Sequence, residues 1–178
     1  NENIPLSPGA AYPLVRKLLD INKNLPDGAR RFEVVLLSRN SPETGMRVFN
    51  TLEALGLDIQ RAVFTSGEPT SRYIKAISAD LFLSSNNEEV RKVMDMGIPA
   101  AALVPRKYNK EHDNDPTIRI AFDGDGILFS DEAEKVNMQE GLAGFTHHEI
   151  TRQDIPLPSG PMHGFLGMIH TLQQCFPK

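Results

Sequence analysis

The residues with the clearest chemical potential are Asp123 and Asp125, separated by Gly124 and followed by Gly126-Ile127-Leu128-Phe129. Two carboxylates one residue apart at a strand end can point the same way, and the glycine between them lets a ligand approach the backbone. Such a pair offers the oxygen ligands that a divalent cation takes. One carboxylate can attack a phosphorus atom while the other gives a proton to the leaving oxygen. Phosphoryl transfer is the chemistry this pattern suits, and the competing reading is a solvated acidic turn that closes a strand. An EF-hand loop is excluded, because Ile127 has no oxygen for the fifth position and Leu128 replaces the glycine required at the sixth. The sequence carries neither a phosphate loop ending in Gly-Lys nor a Gly-x-Gly-x-x-Gly dinucleotide fingerprint.

The elements that must position these carboxylates follow from the apolar pattern. Ala11 to Asn24 carries Leu14, Val15, Leu18, Leu19 and Ile21, the spacing of a helix with one buried stripe, stopped by Pro26, Asp27 and Gly28. Glu33 to Ser38 is a nearly continuous apolar run, as in a strand covered on both faces. Ser41-Pro42-Glu43 predicts a helix start capped by Ser41, running to Leu55 and ended by Gly56. The pattern then predicts a strand over 61–65, a helix over 71–78, a strand over 81–84, a helix over 87–96 ended by Gly97, and a strand over 98–104. After the polar stretch 105–116 comes a strand over 118–122, which delivers Asp123 at its carboxyl end. Alternating strands and helices imply crossover connections, and the fold class is α/β: a three-layer α/β/α, Rossmann-like, mainly parallel sheet. Ligands bind at the carboxyl edge of such sheets.

That edge also holds Ser38, Arg39 and Asn40, placed before a helix amino terminus where backbone donors attract anions. These three residues and Lys75 are candidates for holding a phosphate or nucleotide, against the simpler reading of caps and solvated charge. His147 and His148 are adjacent and so project differently from a helix, which suits a surface pair better than a metal site. Segments 107–115 and 133–153 are long connections suited to a flap or cap over a site.

Composition bounds the partners. The 178 residues are 40% hydrophobic and 24% charged, values of a globular chain. A net charge of −4 leaves no electrostatic footprint for a nucleic-acid polymer, and three tyrosines with no tryptophan give no stacking platform for one. Cys175 is the only cysteine, so no intramolecular disulfide and no cysteine zinc cluster can form, which fits a reducing, cytoplasmic setting. Apolar runs such as 98–104 fall far short of the ~20 residues of a membrane helix, so no membrane span is predicted. A homo-oligomer is left open.

The chain also resembles itself. Ile4-Pro5-Leu6 returns as Ile155-Pro156-Leu157, and the same spacing pairs Gly9 with Gly160, Leu14 with Phe165, Val15 with Leu166, Leu18 with Ile169, Ile21 with Leu172 and Pro26 with Pro177. A turn, a helix with the same apolar face and a stop recur in order, as in an internal duplication. The expectation is two units: residues 1–117, a first and degenerate α/β copy, and residues 118–178, the start of a second, catalytic copy. With no initiator Met at Asn1 and a second copy cut off at Lys178, the chain reads as a piece of a longer gene product.

Asp123-Gly124-Asp125-Gly126-Ile127-Leu128 resembles the first motif of haloacid dehalogenase-type phosphatases. The wider pattern is similar to the cytosolic 5'-nucleotidase type I family. It includes residues 35–42, Gly56-Leu57-Asp58-Ile59, residues 80–84, residues 118–132, and Gly141-Leu142 with His148-Glu149. The resemblance implies a 5'-nucleotidase hydrolysing nucleoside monophosphates, with AMP favoured. In it Asp123 is the nucleophile that becomes an aspartyl phosphate, Asp125 is the general acid and base, and Mg2+ is held by the Asp123 carboxylate and the Asp125 carbonyl. It also implies a Thr-containing strand end, a lysine and an acidic pair, all lying past Lys178 in family members. The alternative function is a non-catalytic nucleotide- or phosphate-binding module.

Overall fold

The computed structural model describes residues 4–25, 31–105 and 115–176. The proposed stop at 26–28, the pairing of Pro26 with Pro177 and the connection over 107–114 lie outside the described residues. Five helices and four strands are seen among them: α1 (Tyr12–Lys23), β1 (Val35–Ser38), α2 (Gly45–Ala54), β2 (Arg61–Phe64), β3 (Phe82–Ser84), α3 (Asn87–Asp95), β4 (Ala100–Ala102), α4 (Glu132–Arg152) and α5 (His163–Gln173). Short 3-10 turns at Pro42–Thr44 and Thr70–Tyr73 complete the order.

The strands pair in parallel, as the alternation of strands and helices predicts. Val35 lies opposite Arg61 and Ser38 opposite Phe64, while Phe82 lies opposite Ala100 and Ser84 opposite Ala102. They form two separate pairs rather than one sheet. An apolar cavity of about 1250 Å³ lies between β1 and β3, lined by Val35 and Leu36 on one side and Phe82 and Leu83 on the other, with Leu18 of α1 and Phe165 of α5 completing its wall. Ile74, Phe82, Val90, Val93 and Ala100 form the buried cluster of the second pair, and Leu37 of β1 packs against it.

The helices form where the sequence has both a stripe and a boundary. In α3 the Asn86 side chain accepts hydrogen bonds from the Glu88 and Glu89 N–H groups, Val90 and Val93 are buried one turn apart, and Gly97 ends the run at φ +78°. In α2 Val48, Thr51 and Leu52 face inward, and Gly56 at φ +64° stops the helix. A Cβ on Gly45 would stand 2.8 Å from the Phe64 ring, so glycine there lets α2 start against β2.

Three expectations need correction. Ser41 makes no side-chain cap: its carbonyl accepts from the Thr44 N–H in the 3-10 turn that precedes α2. Residues 71–78 form a 3-10 turn followed by further turns rather than an α-helix, and Lys75 lies there, exposed. Residues 118–122 form no strand; they run without a ladder partner, because an apolar run becomes a strand only where another edge offers hydrogen bonds.

The internal resemblance reappears as matching geometry. The Tyr12 N–H donates to the Gly9 carbonyl at 3.1 Å and the His163 N–H to the Gly160 carbonyl at 3.2 Å. One step further on, the Val15 N–H meets the Ala11 carbonyl and the Leu166 N–H the Met162 carbonyl, both at 3.0 Å. Helices α1 and α5 thus begin at equivalent residues, after the same turn, and both line the central cavity.

Candidate active site

Asp123 and Asp125 sit on a tight loop rather than at a paired strand end, and both are exposed. The Gly124 N–H donates to Asp123 Oδ1 at 2.8 Å, which fixes one carboxylate oxygen of an exposed side chain. The Gly124 carbonyl accepts from the N–H groups of both Leu128 and Phe129 at 3.0 Å, closing the loop behind the two acids. Gly126, at φ +71°, makes the reversal that this closure needs.

The loop is stitched to the segment that leads into α5. The Gly160 N–H donates to the Leu128 carbonyl at 2.8 Å, the Met162 N–H to the Ile127 carbonyl at 3.0 Å, and the Ser130 N–H to the Pro158 carbonyl at 2.8 Å. Gly160 is the pivot of this contact: a Cβ there would lie 2.4 Å from the Ile127 carbonyl oxygen and 2.6 Å from that of Phe129. Gly9, its counterpart in the first half, has nothing within 4 Å of the same position. The two glycines match in sequence and in local turn, yet only Gly160 is required by packing.

Helix α4 connects the two stitched segments and is not straight. Twenty residues of continuous helix would separate its ends by about 30 Å. Arg152 Nη1 nevertheless lies 3.6 Å from Glu132 Oε1. The chain reverses at Gly141, whose φ of 71° and ψ of −171° break the helix, so residues 132–152 are a hairpin of two helical arms. Across its apex, a Cβ on Gly144 would fall 2.3 Å from Glu140 Cβ. The hairpin buries only Ala133 and exposes Met138, Leu142 and Ile150. It occupies the stretch expected to form a flap or cap. His148 Nδ1 lies there, 3.3 Å from Glu149 Oε1.

Ser38, Arg39 and Asn40 occupy the carboxyl end of β1, and Lys75 lies apart in the turns after residues 70–73. The Ser38 hydroxyl accepts from the Asn40 N–H at 3.1 Å, and the turn after β2 folds onto the same residues through Ser66 N–H to Asn40 and Gly67 N–H to Arg39 carbonyls. Arg39 Nη2 donates to Glu89 Oε1 at 3.0 Å. Among the described residues no hydrogen bond or ion pair joins Ser38, Arg39, Asn40 or Lys75 to Asp123 or Asp125. The central cavity does not reach the acidic loop either, since none of residues 123–130 lines it.

Glu89 is the member of this region that sequence reasoning missed, because a glutamate in the first turn of a helix reads as a solvated complement to the dipole. It is 2% exposed and accepts from the Thr70 hydroxyl at 3.0 Å and the Ser71 N–H at 2.8 Å, besides Arg39. Burial by itself pushes its pKa up. The Ser71 N–H, the Thr70 hydroxyl and the Arg39 guanidinium outweigh burial and hold the carboxyl below its ordinary value of 4.5. A lowered folded-state pKa contributes stability that is present above the unfolded value and lost as pH falls through the folded one. Glu89→Ala, which strands two buried donors, is expected to cost about 3 kcal/mol at pH 7. Denaturant titrations should show the gap from wild type narrowing as pH drops below 4.5; a gap that stays constant down to pH 3 contradicts this role.

Among the described residues no group of three or more His, Cys, Asp or Glu gathers in a way that could hold a metal ion. Asp123 and Asp125 offer an exposed pair of oxygen donors, the chemistry that suits a hard divalent cation retaining several of its waters. No described helix is long and apolar enough to cross a membrane.

Compared with known proteins, residues 1–178 match the family model described as 5'-nucleotidase. The chain is 34% identical over 180 residues to the human (Homo sapiens) protein named cytosolic 5'-nucleotidase 1B, an alignment that covers 99% of this chain and 29% of that relative. No solved structure gives a significant match.

Proposed function

Because the chain belongs to the 5'-nucleotidase family, we propose that it carries the nucleophile-bearing part of a Mg2+-dependent phosphohydrolase that releases phosphate from nucleoside monophosphates, with AMP favoured. The observation that carries this reading is the acidic loop itself: two exposed carboxylates on a backbone closed at Gly124 and stitched to the segment that leads into α5.

In this reading Asp123 Oδ2 attacks the phosphorus while Oδ1 stays hydrogen-bonded to Gly124. The ester P–O bond breaks and Asp125 gives its proton to the leaving nucleoside oxygen, so that an aspartyl phosphate stands on Asp123. Asp125 then takes a proton from water as that water attacks phosphorus and the bond from phosphorus to Asp123 breaks, which frees phosphate, restores the Asp123 carboxylate and returns Asp125 to its protonated form. Mg2+ held by Asp123 and Asp125 would offset the negative charge of the phosphoryl group. Ser38, Arg39, Asn40 and Lys75 belong to the proposal as phosphate- or substrate-binding groups; of these Asn40 and Lys75 present exposed side chains, whereas Arg39 is already paired with Glu89.

The fold proposed with this function is the three-layer, haloacid dehalogenase-like arrangement, with residues 1–117 and 118–178 as two related units. The parallel pairing of β1 to β4 and the equivalent starts of α1 and α5 support it. A second reading, a nucleotide-binding module without turnover, draws on the fact that no third acidic side chain joins the pair among the described residues. Phosphate release from AMP by the full-length protein separates the two. Release with Mg2+ that stops on chelation and returns on adding the ion back is the expected result, and AMP bound without any phosphate released would refute hydrolysis.

A further inference from the structure

The two strand pairs leave a gap that backbone hydrogen bonding disfavours. β1 pairs only with β2 and β3 only with β4, so among the described residues each has one edge without a ladder partner. Val35 and Leu36 of β1 and Phe82 and Leu83 of β3 line the apolar cavity between them, while no residue of β2 or β4 does. A small apolar ligand in that space would leave two rows of N–H and C=O groups unpaired. An extended chain with apolar side chains pairs both rows and fills the volume as well.

The order of the elements points to the source of that chain. β1 leads through α2 to its neighbour β2, and β3 leads through α3 to its neighbour β4, so the cavity lies where the strand order reverses. Helix α1 comes before β1, and its Val15 and Leu18 cover the cavity. A helix in that place is the crossover between β1 and a parallel strand that precedes it, and consecutive strands usually lie side by side. The internal likeness of the chain gives the same position, because residues 118–122 stand ahead of α5 as such a strand would stand ahead of α1. Residues 118–122 themselves are engaged elsewhere. Lys17 Nζ donates to the Thr117 carbonyl at 2.9 Å, the Phe122 ring lies 6.4 Å from that of Phe165, and none of the five lines the cavity.

We propose that the cavity is the seat of a fifth parallel strand, supplied by the segment of the full-length chain that leads into α1, which joins the two pairs into one sheet. The seat stands on the open edges and the cavity; only the match to residues 118–122 rests on the two-unit reading. Covered on both faces, the inserted strand reads as a run of Val, Ile and Leu. Being parallel to β1, it ends at the edge that carries Ser38, Arg39 and Asn40.

The test combines amide exchange and photo-cross-linking in the full-length protein, neither of which needs turnover. A parallel strand with neighbours on both sides has every N–H bonded, whereas an edge strand leaves alternate N–H groups free. Consecutive amides of Val35–Ser38 and Phe82–Ser84 should therefore all exchange about a hundredfold or more slower than free amides. Alternating fast and slow amides along either strand would show the seat empty and overturn the proposal. Photo-leucine in place of leucine identifies the occupant without changing the packing, since Leu18, Leu36 and Leu83 all line the cavity. Mass spectrometry should place their new cross-links on one stretch ahead of Asn1. Cross-links to residues 118–122, to a stretch past Lys178 or, in a mixture of isotope-labelled and unlabelled protein, to a second copy would each overturn it, as would the absence of any cross-link beyond the neighbours already described. The expected cross-links in a protein that releases no phosphate would refute the hydrolase reading and sustain the strand.

Discussion

Asp123→Asn is expected to lower phosphate release from AMP by about three orders of magnitude or more while leaving the folded protein intact. The amide oxygen of Asn can still accept the Gly124 N–H, so the loop keeps its closure, but Asn carries no anionic oxygen to attack phosphorus. The side chain is exposed, so the substitution opens no cavity and strands no buried donor. The pairing of a large catalytic effect with an unchanged melting temperature makes the experiment specific. It should be run on the full-length protein, following inorganic phosphate under single-turnover and steady-state conditions. Equal turnover in wild type and Asp123→Asn would remove the nucleophile from the proposal and, with it, the aspartyl phosphate.

A second large effect is expected at a residue with no functional group. Gly160→Ala puts a methyl 2.4 Å from the Ile127 carbonyl oxygen and 2.6 Å from that of Phe129, both of them backbone atoms that cannot rotate away. Ordinary contact begins at 3.4 Å, so the acidic loop must shift by about 1 Å, a displacement that can cost about 10²-fold in rate when it moves a reacting group. The overpacking itself should lower stability by about 1–3 kcal/mol. Gly9→Ala is the matched control, because it occupies the same turn before the equivalent helix with open space around it. Gly9→Ala should leave both the melting temperature and phosphate release near wild type. Similar behaviour of the two variants would mean that the stitching of the loop to α5 contributes nothing.

These two experiments mark what each level of description supplies. The acidic pair was legible in the sequence as a set of oxygen donors, because residue type and spacing alone give Asp123-Gly124-Asp125 that character. The four strands of the two pairs and helices α1, α2 and α3 were legible to within a few residues, since their stripes end in local punctuation such as Gly56 and Gly97. The internal likeness of the two helix starts was legible too, and the turns at Gly9 and Gly160 share one hydrogen-bond pattern. Each of these is a local property: a helix or turn is specified by residues that are neighbours in the chain.

The tertiary structure decided whatever depends on a distant partner. Residues 118–122 have the composition of a strand and run unpaired, because a ladder needs an edge that the sequence of one strand does not contain. Glu88 and Glu89 are adjacent glutamates at one helix start; the first is exposed beside Lys92, and the second is buried under Thr70, Ser71 and Arg39. Gly9 and Gly160 are equivalent in sequence and turn, and only the second has carbonyl oxygens where a side chain would go. The sequence alone therefore determined which groups exist and how the chain turns near them, while long-range packing decided which of them are enclosed, paired or held in place, since burial and steric contact are made by atoms far apart along the chain.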